Sequence, residues 1–191
     1  MTAHPIEVES YRIMSERVDL SAWPPPARAV VARMIHASAD VEYASTARLT
    51  DDAVAAGIDA VRAGAPVICD SHMVRVGITG VPARCLLDEI PEAPPGSTRA
   101  AAAIRVAARR HPDGAVFVIG NAPSALTALL EIPVRPALVV GLPVGFVGAA
   151  EAKAALRACG WPSITNTGEK GGSAVAAAAA NALVRLAKEQ P

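Results

Sequence analysis

The feature that most constrains this chain is a series of short, continuous apolar runs separated by stretches of good helix formers. Residues 65–70 (APVICD), 115–120 (AVFVIG) and 137–141 (ALVVG) are apolar nearly throughout, with no alternation of polar residues. A strand of that kind presents apolar surface on both faces, so it is predicted to lie inside a parallel sheet covered by helices. Residues 84–90 and 163–166 read as two further strands, the first followed by the Pro/Gly-rich turn PEAPPGS. Helices are predicted over 98–110, from 121 onward, over 149–158 and over 173–188. An earlier helical stretch spans 24–48, with Ser21 as its cap and Pro24 to Pro26 at its entry. Right-handed crossovers then predict a three-layer α/β/α domain. Its sheet is doubly wound, mainly parallel and flavodoxin-like, with about five strands, and one domain covers residues 1–191.

Composition narrows the function classes. Lys plus Arg and Asp plus Glu balance at 18 each. The broad basic field that nucleic-acid binding needs is therefore missing, and an anionic ligand has to be caught by local groups. The first residues, MTAHPIEVESYRIM, carry acids and no apolar stretch, unlike a signal peptide. The apolar run 137–150 is broken by Pro143 and glycines, and the alanine-rich stretch after Ser173 by Asn181 and Arg185. Neither approaches the roughly 20 residues of a membrane span, so a cytoplasmic protein without membrane association is expected. Cys69, Cys85 and Cys159 share no C-x-x-C spacing and read as small buried apolar residues. The four histidines never fall at metal-ligand spacing, so no metal site is expected.

Four places carry candidate chemistry. On the 24–48 helix, Val30, Val31, Met34, Ser38 and Val41 share one side and His36 the other, with Arg33, Asp40 and Tyr43 on its face. Such a histidine is either a plain surface residue or a proton donor whose charged form Asp40 favours, and spacing alone does not separate the two. Three loops, GNAPSA (120–125), GLPVGFVGAAEAK (141–153) and GEKGGSA (168–174), each lead from a strand end into a helix. Free amides at helix starts receive carboxylates or phosphates, although each loop singly also reads as an ordinary connection. None matches a nucleotide signature. Arg99 stands at a helix start, where the dipole disfavours a cation, so it is either a tolerated surface residue or has an anionic partner. Residues 70–80 (DSHMVRVGITG) read as a long polar loop with Thr79 between glycines.

Read together, these segments resemble the precorrin-8X methylmutase family, which also handles cobalt-precorrin-8. The matching stretches are MIHASADVEYA (34–44), ICDSHMVRVGITG (68–80), GSTRAAAA (96–103), VIGNAPSAL (118–126), GLPVGFVGAAEAKAAL (141–156) and KGGSAVAAAAANAL (170–183). The resemblance implies an isomerase of corrin biosynthesis that needs no cofactor. It implies that His36 protonates the substrate, so that a methyl group migrates from carbon 11 to carbon 12 of ring C in a 1,5-sigmatropic shift. It also implies that Ser10, Thr79 and Arg99 hold the substrate's acetate and propionate arms or ring edge. Asn121 and Ser124 adjoin them, and Lys170 and Ser173 belong to the last loop. The family assembles as a homodimer with the site near the interface. This chain departs from it at Gly168-Glu169, where the family usually shows Gly-Arg; either Lys170 compensates or Glu169 faces solvent. Two other readings are a non-catalytic corrinoid-binding protein of the same fold and an unrelated nucleotide or flavin module.

Overall fold

The fold is known from a computed structural model that describes residues 4–189; residues 1–3 and 190–191, within the expected 1–191 domain, lie outside the described residues. Helix α1 (Pro5–Arg17) is followed by α2 (Pro25–Ser38), the single turn α3 (Tyr43–Thr46) and strand β1 (Ala47–Leu49). Then come α4 (Ala53–Arg62), β2 (Val67–Cys69), α5 (His72–Gly77), β3 (Ala83–Cys85) and a 3-10 turn over Leu87–Glu89. The chain closes with α6 (Arg99–Arg110), β4 (Val116–Ile119), α7 (Pro123–Leu130), β5 (Leu138–Gly141), α8 (Ala149–Ala158), β6 (Ser163–Asn166) and α9 (Ser173–Glu189).

The sheet runs β1-β6-β5-β4-β2-β3. Its five parallel strands follow the 2-1-3-4-5 order of a flavodoxin-like sheet, with the winding reversing between β2 and β4. The sixth strand, β1, pairs antiparallel with β6 and was not anticipated, because its three residues ARL carry no apolar run. β2, β4 and β5 are buried along their whole length, as continuous apolar runs require. One core cluster packs Val30, Met34, Ile58 and the α9 alanines on one face. The other packs Ile104, Leu126, Leu129 and Leu156 on the opposite face. The α9 alanines let that helix lie close to α2 on one side and to β4 and β5 on the other. Among the described residues no helix is long and apolar enough to cross a membrane.

Several local expectations change. The strand at 84–90 shortens to Ala83–Cys85 and passes into the 3-10 turn. The 70–80 loop contains α5, started by Ser71, whose Oγ accepts the Val74 N–H at 3.2 Å. Ser21 does not cap α2; its Oγ donates to Asp19 at 2.8 Å and the helix enters directly from Pro24. The 24–48 helix breaks at Ala39, which adopts the left-handed conformation at φ 54°. Ser38 prompts the break: its Oγ donates back to the Met34 carbonyl and accepts the Asp40 N–H. Val41, expected on the buried stripe, is consequently exposed. Of the cysteines, Cys69 is buried and Cys85 partly so, whereas Cys159 is exposed at the end of α8.

Candidate active site

Helix α2 turns Val30, Val31, Met34 and Ile35 inward against α9 and leaves His36 on its other side, half-buried. There it meets α1. His36 Nδ1 lies 2.8 Å from Ser10 Oγ, and the Tyr11 ring stacks on the imidazole at 5.0 Å with only 6° between the planes. Both partners come from consecutive positions of one helix, so α1 fixes the imidazole by an edge contact and a face contact at once. A cavity of about 540 Å³ opens beside them, lined by Ile6, Ser10, Ile13, Met14, Ile35 and His36 among others. Among the described residues no group hydrogen-bonds to His36 Nε2, so one ring nitrogen is held and the other is left for a ligand.

The expected support of His36 by Asp40 is not present. The break at Ala39 takes Asp40 off the helical face, and its carboxylate receives Lys170 Nζ at 2.7 Å, which holds the carboxyl below the usual range. Lys170 also pairs with Glu42, and the two acids raise the lysine's pKa. The β6–α9 loop is thus fastened to the chain just beyond the His36 helix. Glu169 is exposed, the second of the two arrangements open to it, and its carbonyl accepts the Gly145 N–H at 3.1 Å.

The three glycine-bearing loops do converge at the carboxyl ends of the strands. Gly172 N–H donates to Leu142 O at 2.8 Å, and a Cβ at Gly171 would sit 2.3 Å from that same oxygen. A Cβ at Gly120 would lie 2.7 Å from Ala176 Cβ. The amides that follow β4, however, are already occupied. The Asp70 carboxylate, 1% exposed, accepts the N–H groups of Gly120, Asn121 and Ala122 at 3.0, 2.9 and 2.6 Å. Burial pushes the Asp70 carboxyl up, against the opposing pull of those three donors. Lys153 is the second buried charge. Its Nζ donates to Asn166 Oδ1 at 2.9 Å and to the Lys170 carbonyl at 2.6 Å, and burial brings its pKa down to about 8.

The candidate residues fall into groups. Ser10 and His36 touch, and Lys170 lies just beyond them on Asp40. Ser173 Oγ is 3.5 Å from Ser71 Oγ, beside the Asp70 loop. Ser124 Oγ and Thr98 Oγ1 lie 2.7 Å apart, joining the starts of α7 and α6. The Arg99 guanidinium finds carbonyl partners: it donates to Ile90 O at 2.7 Å and Leu87 O at 2.8 Å. Asn121 is exposed with its N–H on Asp70. Thr79 gives its N–H to Asn181 Oδ1 at 2.8 Å, tying the end of α5 to α9. His4 caps α1 and His72 faces Asp88 at 3.0 Å. Sequence reasoning missed Tyr11, Asp70 and Lys153. Tyr11 had a signal in its adjacency to Ser10, whereas Lys153 among alanines reads as a surface lysine.

The precorrin-8X methylmutase family model matches residues 5–186 of the chain. A precorrin-8X methylmutase of Pseudomonas aeruginosa is 41% identical over 191 residues, covering 92% of this chain and 91% of the relative. A cobalt-precorrin-8 methylmutase of Methanothermobacter thermautotrophicus is 40% identical over 180 residues, covering 90% of this chain and 86% of the relative. The crystal structure of a precorrin-8X methylmutase from Thermus thermophilus superposes with a TM-score of 0.88 at 41% identity, covering 96% of both chains. With the fold, the loops and nearly the full length in agreement, the chain belongs to the precorrin-8X methylmutase family.

Proposed function

We propose that this chain is the isomerase that moves the ring C methyl of precorrin-8X, or of cobalt-precorrin-8, from carbon 11 to carbon 12, with His36 as the proton donor. The observation that carries the reading is the arrangement of His36: Nδ1 held by Ser10, ring face held by Tyr11, and the residue lining a cavity of about 540 Å³. A protonated Nε2 gives its proton to the macrocycle, the methyl migrates, and the proton returns, since an isomerisation leaves composition unchanged. Positioned proton transfer of this kind supplies about 10²–10⁴-fold, and the pocket that selects the migrating geometry supplies the rest. Ser10, Thr79, Arg99, Asn121, Ser124, Lys170 and Ser173 remain the residues assigned to the substrate's carboxylate arms and ring edge. Cobalt, where present, enters with the substrate.

A homodimer working in the cytoplasm completes the proposal. In its support, Ile6, Met73, Val76, Phe146 and Val147 are large apolar residues between 65% and 91% exposed, side chains that self-association would take out of water. Sedimentation of the purified protein checks this, and a monomer at all concentrations would remove it. The activity is tested by anaerobic absorbance spectroscopy with precorrin-8X and, separately, cobalt-precorrin-8, for the wild type beside His36→Ala. Conversion by the wild type alone supports both the reaction and its acid. Binding of either corrinoid without conversion would leave a corrinoid-binding relative.

A further inference from the structure

Helix α1 supplies both contacts that fix His36, yet none of its residues is buried. Of its apolar side chains, Met14 packs against the main core cluster, Ile6, Ile13 and Met14 line the open cavity, and Val8 is exposed. Its Arg12 pairs with Glu9 and Glu16 lie within the helix and fasten it to nothing else. Besides Ser10 on His36 and Tyr11, which also lies against Arg33, its polar attachment to the body of the protein is Glu7. Its Oε1 accepts Arg33 Nη1 of α2 at 2.7 Å and lies 3.7 Å from Arg185 Nη1 of α9. Glu7 and Arg33 are partly shielded, 25% and 33% exposed, whereas Arg185 is 59% exposed and also gives its Nε to Glu189 at 2.7 Å. Glu7 stands three and four residues before Ser10 and Tyr11, so all three share one face of α1. Arg33 stands three residues before His36 on α2. The ion pair therefore sits one turn from the Ser10–His36 contact on both helices.

We propose that Glu7, Arg33 and Arg185 are positioning residues that dock α1, and that this docking sets the tautomer and orientation of His36. The proposal rests on the reading of His36 as the proton donor. When the pair is broken, α1 undocks for part of the time, and in those excursions Ser10 leaves Nδ1, Tyr11 leaves the ring face and the cavity loses one wall. The body of the fold, whose core lies between α2, α9 and the sheet, is not required to change.

The test compares wild type, Glu7→Gln, Arg33→Met, the double variant and the charge-keeping Arg33→Lys. Imidazole ¹⁵N shifts of His36 are recorded without substrate, with amide exchange of α1 and, separately, kcat at saturating precorrin-8X. Glu7→Gln and Arg33→Met are expected to move the His36 shifts toward a mixed-tautomer ring and speed exchange in α1. They are expected to lower kcat about fivefold, as loss of a net contact of about 1 kcal/mol would. The double variant should be no worse than either single one, and Arg33→Lys should keep the wild-type His36 signature. His36 shifts and α1 exchange unchanged in Glu7→Gln would overturn the proposal, as would a kcat loss with an unmoved His36 signature. If His36→Ala still turns over while Glu7→Gln shifts the His36 signals, the acid assignment fails and the docking role stands.

Discussion

Ser10 and His36, 26 positions apart in the chain, meet at 2.8 Å between Oγ and Nδ1. A hydroxyl there holds one ring nitrogen and so decides which nitrogen faces the cavity. Ser10→Ala is expected to lower kcat about tenfold while leaving the melting temperature within 1–2 °C, roughly the effect of one net hydrogen bond on the reacting state alone. His36→Ala is expected to lose about 10²-fold or more with folding intact. Steady-state kinetics and circular dichroism of the two variants check both expectations.

Asp70 carries a different kind of dependence. Its carboxylate satisfies three consecutive amides while being 1% exposed. Asp70→Ala leaves three amides, that of Gly120 buried and those of Asn121 and Ala122 partly so, without their acceptor and is expected to destabilise the fold by about 3 kcal/mol. Urea unfolding measures the loss, and a change under 1 kcal/mol would contradict this account.

Lys153 gives a pH dependence whose sign follows from burial. Its pKa falls to about 8 in the folded protein, below the ordinary lysine value. Above pH 8 the folded chain has released this proton while the unfolded chain still binds it. The folded state is therefore penalised fully below pH 8, and the penalty is relieved as pH rises toward the ordinary lysine range. The stability difference between wild type and Lys153→Met should accordingly move in favour of wild type between about pH 8 and pH 10. Denaturant titrations at matched ionic strength give the slope; a flat or negative difference would refute it.

Ala39 ends α2 at φ 54°, a conformation in which a Cβ is strained. Ala39→Gly is expected to raise stability by about 0.5–1 kcal/mol, because glycine is the residue this cap position favours. A thermal melt registers the gain.

The sheet was legible because its signal is local: three apolar runs, each long enough to mark a buried strand, became β2, β4 and β5, while the weaker segments at 84–90 and 163–166 became β3, shortened and shifted, and β6. β1 escaped because three residues ending a broken helix have no pattern of their own and become a strand only by pairing with β6. In the candidate site, the family resemblance pointed to His36, Ser10 and Lys170, but not to who touches whom. Asp40 was expected on His36 because an unbroken helix would place it there. One left-handed alanine redirected it to Lys170. Tyr11 and Asp70 matter through tertiary contacts, and such contacts leave no periodicity to read.

Between β2 and β4, where sheets of this winding ordinarily keep a socket for a phosphate, the protein has seated its own Asp70. A nucleotide reaching that crevice meets an occupied seat and a charge of its own sign. The crevice at the winding reversal is thereby filled by the protein's own carboxylate, which serves as part of the frame. Room for a ligand then lies outside that crevice, between α1 and α2, where the cavity beside His36 opens.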